Sequence, residues 1–198
     1  MRIPDIEDLS EYIPSLVSTV AKTSWLPNRE TVKTIQCSVF PTSRYKSNHK
    51  RFSHIEKDGA VVGMYDDNAT PEWALFWSHD LVGTRRKGWT IAHVWPTSDD
   101  IDSYTHIANL AMVPECLANL TDKKGPLTAF LRWHAWEVYG WKPKQQDNPN
   151  RPDGYGDIEW RYLTGVRNPK GAIRRRFCSL SNERTRILRP IMEGRGIL

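Results

Sequence analysis

The chain has 198 residues, a hydrophobic fraction of 39% and a formal charge of +5. It is long enough to bury one substantial core and short for two independent ones. No apolar run approaches the roughly 18 to 20 residues of a bilayer span, and the start MRIPDIEDLSEYIP lacks the basic and apolar regions of a secretory leader, so the sequence predicts a membrane-free, cytoplasmic protein. Its three cysteines, Cys37, Cys116 and Cys178, are far apart and odd in number, which excludes a disulfide framework and a CxxC zinc pair.

Taken in chain order, residues 5–22 place Ile6, Leu9, Ile13, Leu16, Val17 and Val20 on a helical period that Pro14 should interrupt. Val32 to Phe40 is β-branched, ends at Pro41 and reads as a strand. The polar connection 42–57, with Arg44, Lys46, Lys50 and Arg51, fits a loop or an exposed phosphate-contacting arm equally well. Three aromatic-rich runs, 60–65, 73–78 and 89–95, are divided by DDNATP and GTRRKG and predict a small antiparallel sheet.

A further apolar run at 109–113 leads through Pro114 into a helical segment that reaches Asp122, and a Lys-Lys-Gly-Pro break follows. Leu127, Phe130, Leu131, Ala135 and Val138 mark the clearest amphipathic helix, closed by Gly140. His134 lies on its apolar face and is expected to be buried and hydrogen-bonded. Residues 143–157 are a Pro, Asn, Asp and Gly rich loop, and the tail beyond them predicts a strand near 160–163 and a basic helix after Ser181. That division suggests one α+β domain over 1–142, with 143–198 as a linker and basic extension packing on or flanking it. Most of the nine tryptophans are assigned to core packing.

The C-terminal stretch concentrates arginine, including Arg174, Arg175 and Arg176. Guanidinium forks match phosphate oxygens two at a time, so this is either a phosphate-contacting surface or a solvated charged tail. No GxxxxGK[ST], strand-borne GxGxxG, GxSxG or HExxH motif is present.

One ordered constellation carries chemistry: IAHVWP at 91–96, IANLAMVP at 107–114 and ECLANLTDKKG at 115–125. It resembles the HNH, or ββα-metal, nuclease superfamily over residues 89–125. The resemblance implies a small sheet with a ββα-metal-like motif packed against helices, and a metal-dependent endonuclease that hydrolyses phosphodiesters in nucleic acid, DNA ahead of RNA. It makes His93 the general base, Asn109 the support of the loop that carries it, and Asn119 a ligand of Mg²⁺ or another divalent metal. Asp100, Asp102, His106 and Asp122 are candidates for a second ligand. Ala92 stands where the family commonly has a metal-binding aspartate.

Trp95 could line such a site, and Arg85, Arg86, Lys123, Lys124 and Arg174 to Arg176 would contact nucleic acid. Imidazole, with a pKa of about 6.5, is largely a base at neutral pH, and amide oxygen suits a hard cation that keeps several waters. A neighbouring carbonyl or carboxylate should fix the His93 tautomer. Two other functions fit the same residues: a non-catalytic nucleic-acid-binding protein with a degenerate nuclease fold, or a protein-interaction or regulatory module. A homodimer would suit a double-strand cutter.

Overall fold

The computed structural model describes residues 11–45, 48–82, 87–121, 125–156 and 158–198. Pro14 sits in the first turn of helix α1 (Ile13–Thr23) and begins it rather than interrupting it, because its missing N–H is needless there. The helix then buries Val17, Val20 and Ala21. The expected strand over 32–40 is absent. The Asn28 side chain accepts from the Glu30 and Thr31 amides at 3.0 and 3.3 Å, and this cap starts helix α2 (Arg29–Thr34). Ile35, Val39 and Phe40 follow without regular structure, fully buried.

The basic connection left open above is partly sheet. Strand β1 (Thr42–Arg44) pairs in parallel with β3 (Ala60–Asp66), which pairs on its other edge with β2 (His54–Lys57), in the order β1-β3-β2. Asp58 and Gly59, both at positive φ (52° and 77°), form the two-residue turn between β2 and β3, a conformation that suits Asp-Gly.

Residues 73–78, expected as a strand, belong to helix α3 (Ala69–Ser78). Short apolar runs fit either period. Here burial of Thr70, Ala74 and Ser78 at four-residue spacing, and stacking of Trp73 on Trp77 at 5.4 Å, select the helix. The single expected sheet is thereby divided in two. Strand β4 (Trp89–His93) pairs antiparallel with β5 (Leu110–Pro114), His93 opposite Leu110 and Ala92 opposite Ala111. After β5 a 3₁₀ turn (Glu115–Leu117) runs into α4 (Ala118–Thr121), which packs back on β4. The β, β and α elements expected within 89–125 are therefore all present.

Helix α5 (Thr128–Tyr139) stops at Gly140, whose φ of 64° provides a left-handed end. The strand expected near 160–163 is reduced to one bridge between Leu26 and Tyr162. Helix α6 (Pro169–Phe177), capped by Asn168, was not expected, whereas α7 (Asn182–Gly194) is the basic helix after Ser181. The architecture is of the α+β class.

Two buried clusters hold these elements. One joins α2, α3 and β3 to Ile173, Phe177, Ile187, Leu188, Met192 and Ile197 from the C-terminal segment, so that segment is built into the core. The other packs α1 and α5 against the β4–β5 hairpin. The chain from His93 to Asn109 contributes to both, through Val94 and Trp95 to the second and through Ile107 and Ala108 to the first. No helix among the described residues is long and apolar enough to cross a membrane.

Candidate functional site

His93 closes β4 and faces a cavity of about 380 Å³. Its Nε2–H donates to the Tyr104 carbonyl at 3.1 Å, which fixes the tautomer in the way the sequence suggested. The imidazole also stacks on the Tyr104 ring, centroids 5.1 Å apart and planes 3° from parallel. Asn109, fully buried, secures the intervening loop. Its Oδ1 accepts from the Trp95 amide at 2.8 Å, and its Nδ2 donates to Thr97 Oγ1 at 2.8 Å and to the Ser103 carbonyl at 3.0 Å. Its own carbonyl accepts from the Val94 amide at 2.9 Å. One residue thus ties both ends of the loop to the strand that carries His93.

Other walls of the cavity come from outside the hairpin. Arg44 enters from β1, where its amide and the Ser43 hydroxyl both donate to the Ser98 carbonyl at 2.9 Å. Asn68 and Glu72 come from the first turn of α3. Asn68 holds the N-cap position, yet its side chain does not cap the helix; Asp67 accepts the Ala69 amide instead, and Asn68 Oδ1 accepts from the Tyr104 hydroxyl at 3.2 Å. Burial pushes that phenol up to about 12. Just before this turn, Asp66 is fully buried and takes two bonds from Arg184 of α7, at 2.7 and 2.9 Å. Arg51 pairs with Asp66 and Asp67 from the other side.

Several expected site residues lie elsewhere. Asn119 is exposed on α4 and does not line the cavity; its neighbour Ala118 does. His106 is 3% exposed, stacks on Trp141 at 4.4 Å and accepts the Ala108 amide, and burial holds it down to about 3. It is a neutral core imidazole and not a ligand in the cavity. Asp100 spends its carboxylate on the loop, accepting from the Asp102 amide and the Ser103 hydroxyl. Asp102 pairs with Arg195 at 3.0 Å.

Trp95 is 2% exposed and packs edge-on against Trp141, so its ring is closed to a base. Arg175 and Arg176 bind Asp80, at 3.2 and 2.5 Å, and Arg174 is exposed beside them. Asp80 follows the far end of α3, beyond its C-cap His79, whereas Glu72 lies in its first turn. Arg85, Arg86, Asp122, Lys123 and Lys124 lie outside the described residues. His134 is buried as expected, with a tyrosine hydroxyl on each nitrogen, Tyr155 at 2.8 Å and Tyr162 at 3.2 Å.

The residues that the sequence reading missed as site residues are Tyr104, Asn68, Glu72 and Arg44. Each reaches the cavity from a segment whose local pattern is that of a loop, turn or helix start, and only Arg44 carried a signal, as part of a basic run.

Ala92, where the family commonly has an aspartate, lines the cavity without a ligand atom, and the expected helix ligand Asn119 does not line it. Among the described residues no three His, Cys, Asp or Glu side chains converge as a metal group. The motif positions themselves therefore do not fit a cation. No family model, curated protein or solved structure matches the chain.

Proposed function

We propose that the protein hydrolyses phosphodiester bonds in nucleic acid, with DNA as the first substrate to test, as an endonuclease of ββα type. The observation that supports this reading is the placement of His93, locked by Tyr104 at the wall of a polar cavity that Arg44 also lines. With Nε2–H committed to a carbonyl, the neutral ring carries its basic lone pair on Nδ1. That nitrogen takes a proton from water as the water oxygen bonds to phosphorus. The opposite P–O bond breaks, and the departing oxygen is protonated from solvent. Arg44 offers paired donors to the phosphoryl oxygens, whose charge grows in this step.

Supercoiled plasmid incubated with protein and Mg²⁺ or Mn²⁺ tests the proposal, with a structured RNA in parallel. Wild-type protein nicks or linearises the plasmid, and His93→Ala does not while retaining DNA binding. Absence of cleavage by wild type with either cation rejects the reading.

A second reading is favoured by one observation, that Ala92 takes the place of the family's aspartate while Asn119 lies outside the cavity. It makes the protein a nucleic-acid binder without catalysis, in which Arg44 and the arginines of α6 contact phosphates. Salt-sensitive binding without cleavage would select it.

A further inference from the structure

We infer that cleavage in this cavity runs without a metal ion, and that Arg44 neutralises the phosphoryl charge in place of the divalent cation that the resemblance implies. The inference rests on the cleavage reading and departs from the resemblance in this one respect, because the residues present do not fit the cation.

The misfit lies in the donor set. Of the ligand positions marked by the resemblance, Ala92 presents no donor atom and Asn119 is exposed on α4, outside the cavity. The other candidates among the described residues are held elsewhere. His106 is sealed in the core against Trp141, Asp100 accepts from its own loop, and Asp102 pairs with Arg195. Just before α3, Asp66 and Asp67 are neutralised by Arg184 and Arg51. The described lining holds one carboxylate, Glu72, and one guanidinium, Arg44. With His93 in the neutral form that a base requires, those two formal charges cancel. A divalent cation entering the cavity would meet no net negative charge and would share the space with a permanent positive one.

Arg44 is held in a way that suits the replacement. It ends β1, in parallel register with Asp66 of β3, and its amide donates to the Ser98 carbonyl, which also accepts from the Ser43 hydroxyl. Ser98 lines the same cavity, so the sheet and the loop that follows His93 converge on this wall. A guanidinium is charged at every working pH, needs no coordination shell and offers two parallel N–H donors to one phosphoryl group. Those bonds strengthen as charge grows on the phosphoryl oxygens. Water supplies the nucleophile, His93 takes its proton, and solvent protonates the departing oxygen, so the step balances without a further reagent.

The test compares single-turnover nicking of supercoiled plasmid by saturating wild-type protein in excess EDTA and in Mg²⁺. Rates within about threefold of each other are expected, the difference reflecting how Mg²⁺ screens the DNA phosphates. The activity in EDTA should vanish in His93→Ala and fall by about tenfold or more in Arg44→Ala. It should persist in Asn119→Ala and Asp122→Asn, which remove the helix ligands that the resemblance suggested. Circular dichroism checks the fold, and if Arg44→Ala is unfolded, the same loss is expected of Arg44→Lys, which keeps the charge without the fork. A second readout is independent of cleavage: Mn²⁺ is titrated into His93→Ala bound to a short DNA duplex, and unbound ion is read by electron paramagnetic resonance. The complex should hold no Mn²⁺ beyond that held by the duplex alone. Cleavage in Mg²⁺ that EDTA abolishes overturns the inference and leaves the nuclease reading standing, and a Mn²⁺ site held only by the complex overturns it even where no cleavage is seen. Cleavage in EDTA that Arg44→Ala leaves unchanged overturns the role given to Arg44. Cleavage in neither condition rejects the nuclease reading, and this inference with it.

Discussion

His93 and Tyr104 meet twice, through the Nε2–H bond to the Tyr104 carbonyl and through parallel stacking of the two rings. The main-chain bond survives any substitution of Tyr104 that leaves the loop in place, whereas the stack needs an aromatic ring. Tyr104→Phe should keep the stack and lose only the bond to Asn68, lowering kcat by less than about tenfold. Tyr104→Leu removes the stack and should lower kcat by about a hundredfold, with KM little changed, and shift the acid limb of the pH–rate profile. Equal effects of the two variants on that profile would show that the ring does not position the base.

The side chain of Asn109 predicts a stability effect of definite size. Replacing it by alanine leaves the buried Trp95 amide and Ser103 carbonyl without their partner. Each orphaned buried group costs about 1–3 kcal/mol, so Asn109→Ala should lose roughly 2–4 kcal/mol in urea unfolding. Asn109→Asp keeps the acceptor for Trp95 but places a charge where Nδ2 donated, and should be no more stable than the alanine variant. A loss under about 1 kcal/mol in Asn109→Ala would mean that the loop does not depend on this residue.

The ion pair of Arg184 with the fully buried Asp66 joins α7 to the end of β3. Removing Arg184 leaves the buried carboxylate only its longer pair with the half-exposed Arg51, so Arg184→Met should destabilise by up to about 3 kcal/mol. Combining it with Asp66→Asn should recover part of that loss, since no carboxylate then remains buried. A double variant less stable than the single one would contradict this account.

These residues show why only part of the site could be read in advance. The β4–β5 hairpin with α4 is local, and the order of His93, Asn109 and the segment around Ala118 is written into 89–125. Asn109 was marked through the resemblance alone, and the partners it ties, Val94, Trp95, Thr97 and Ser103, lie within fifteen residues of it. Tyr104 looked like any aromatic in a polar loop; its value depends on a stack that only the folded loop creates. Asn68 and Glu72 lie in and just after DDNATP, read as a turn ahead of an aromatic run that mimics a strand, and burial showed that run to be the helix that they begin. His106 and Trp95 misled for the opposite reason. The proximity of Trp95 to His93, and of His106 to Asn109, in sequence says nothing about the direction of their side chains, which are buried in the core.

Three histidines make stability depend on pH. Burial holds His106 at about 3, and His79 and His134 each at about 4, below the roughly 6.5 of an unfolded histidine. Between those limits the unfolded chain binds protons that the folded chain refuses, so stability is full above about pH 6.5 and falls as pH drops towards 4. Each histidine contributes a slope of up to about 1.4 kcal/mol per pH unit. Urea midpoints from pH 7 to 4.5 should fall steadily, and His134→Gln should shallow that fall by one proton's worth. A flat profile above pH 5 would show that these imidazoles are not held neutral.

Arg44 and the arginines of α6 should separate binding from catalysis. Arg44 lies on the cavity wall with its backbone stitched to Ser98, beside the loop that positions His93. Arg174, Arg175 and Arg176 lie towards the other end of α3, two of them already paired with Asp80. A phosphate contact made only for affinity weakens binding and lowers its salt dependence by about one unit of slope per charge removed, without slowing the bound complex. Arg174→Ala should behave in that way. Arg44→Ala should also lower the cleavage rate at saturating DNA, by about tenfold, because the charge it meets grows in the transition state. Arg44→Lys should recover little of that rate, since an ammonium cannot offer two parallel donors to one phosphoryl group. Single-turnover rates and binding isotherms at two salt concentrations measure both quantities, and a purely affinity-based defect in Arg44→Ala would remove Arg44 from the reacting phosphate.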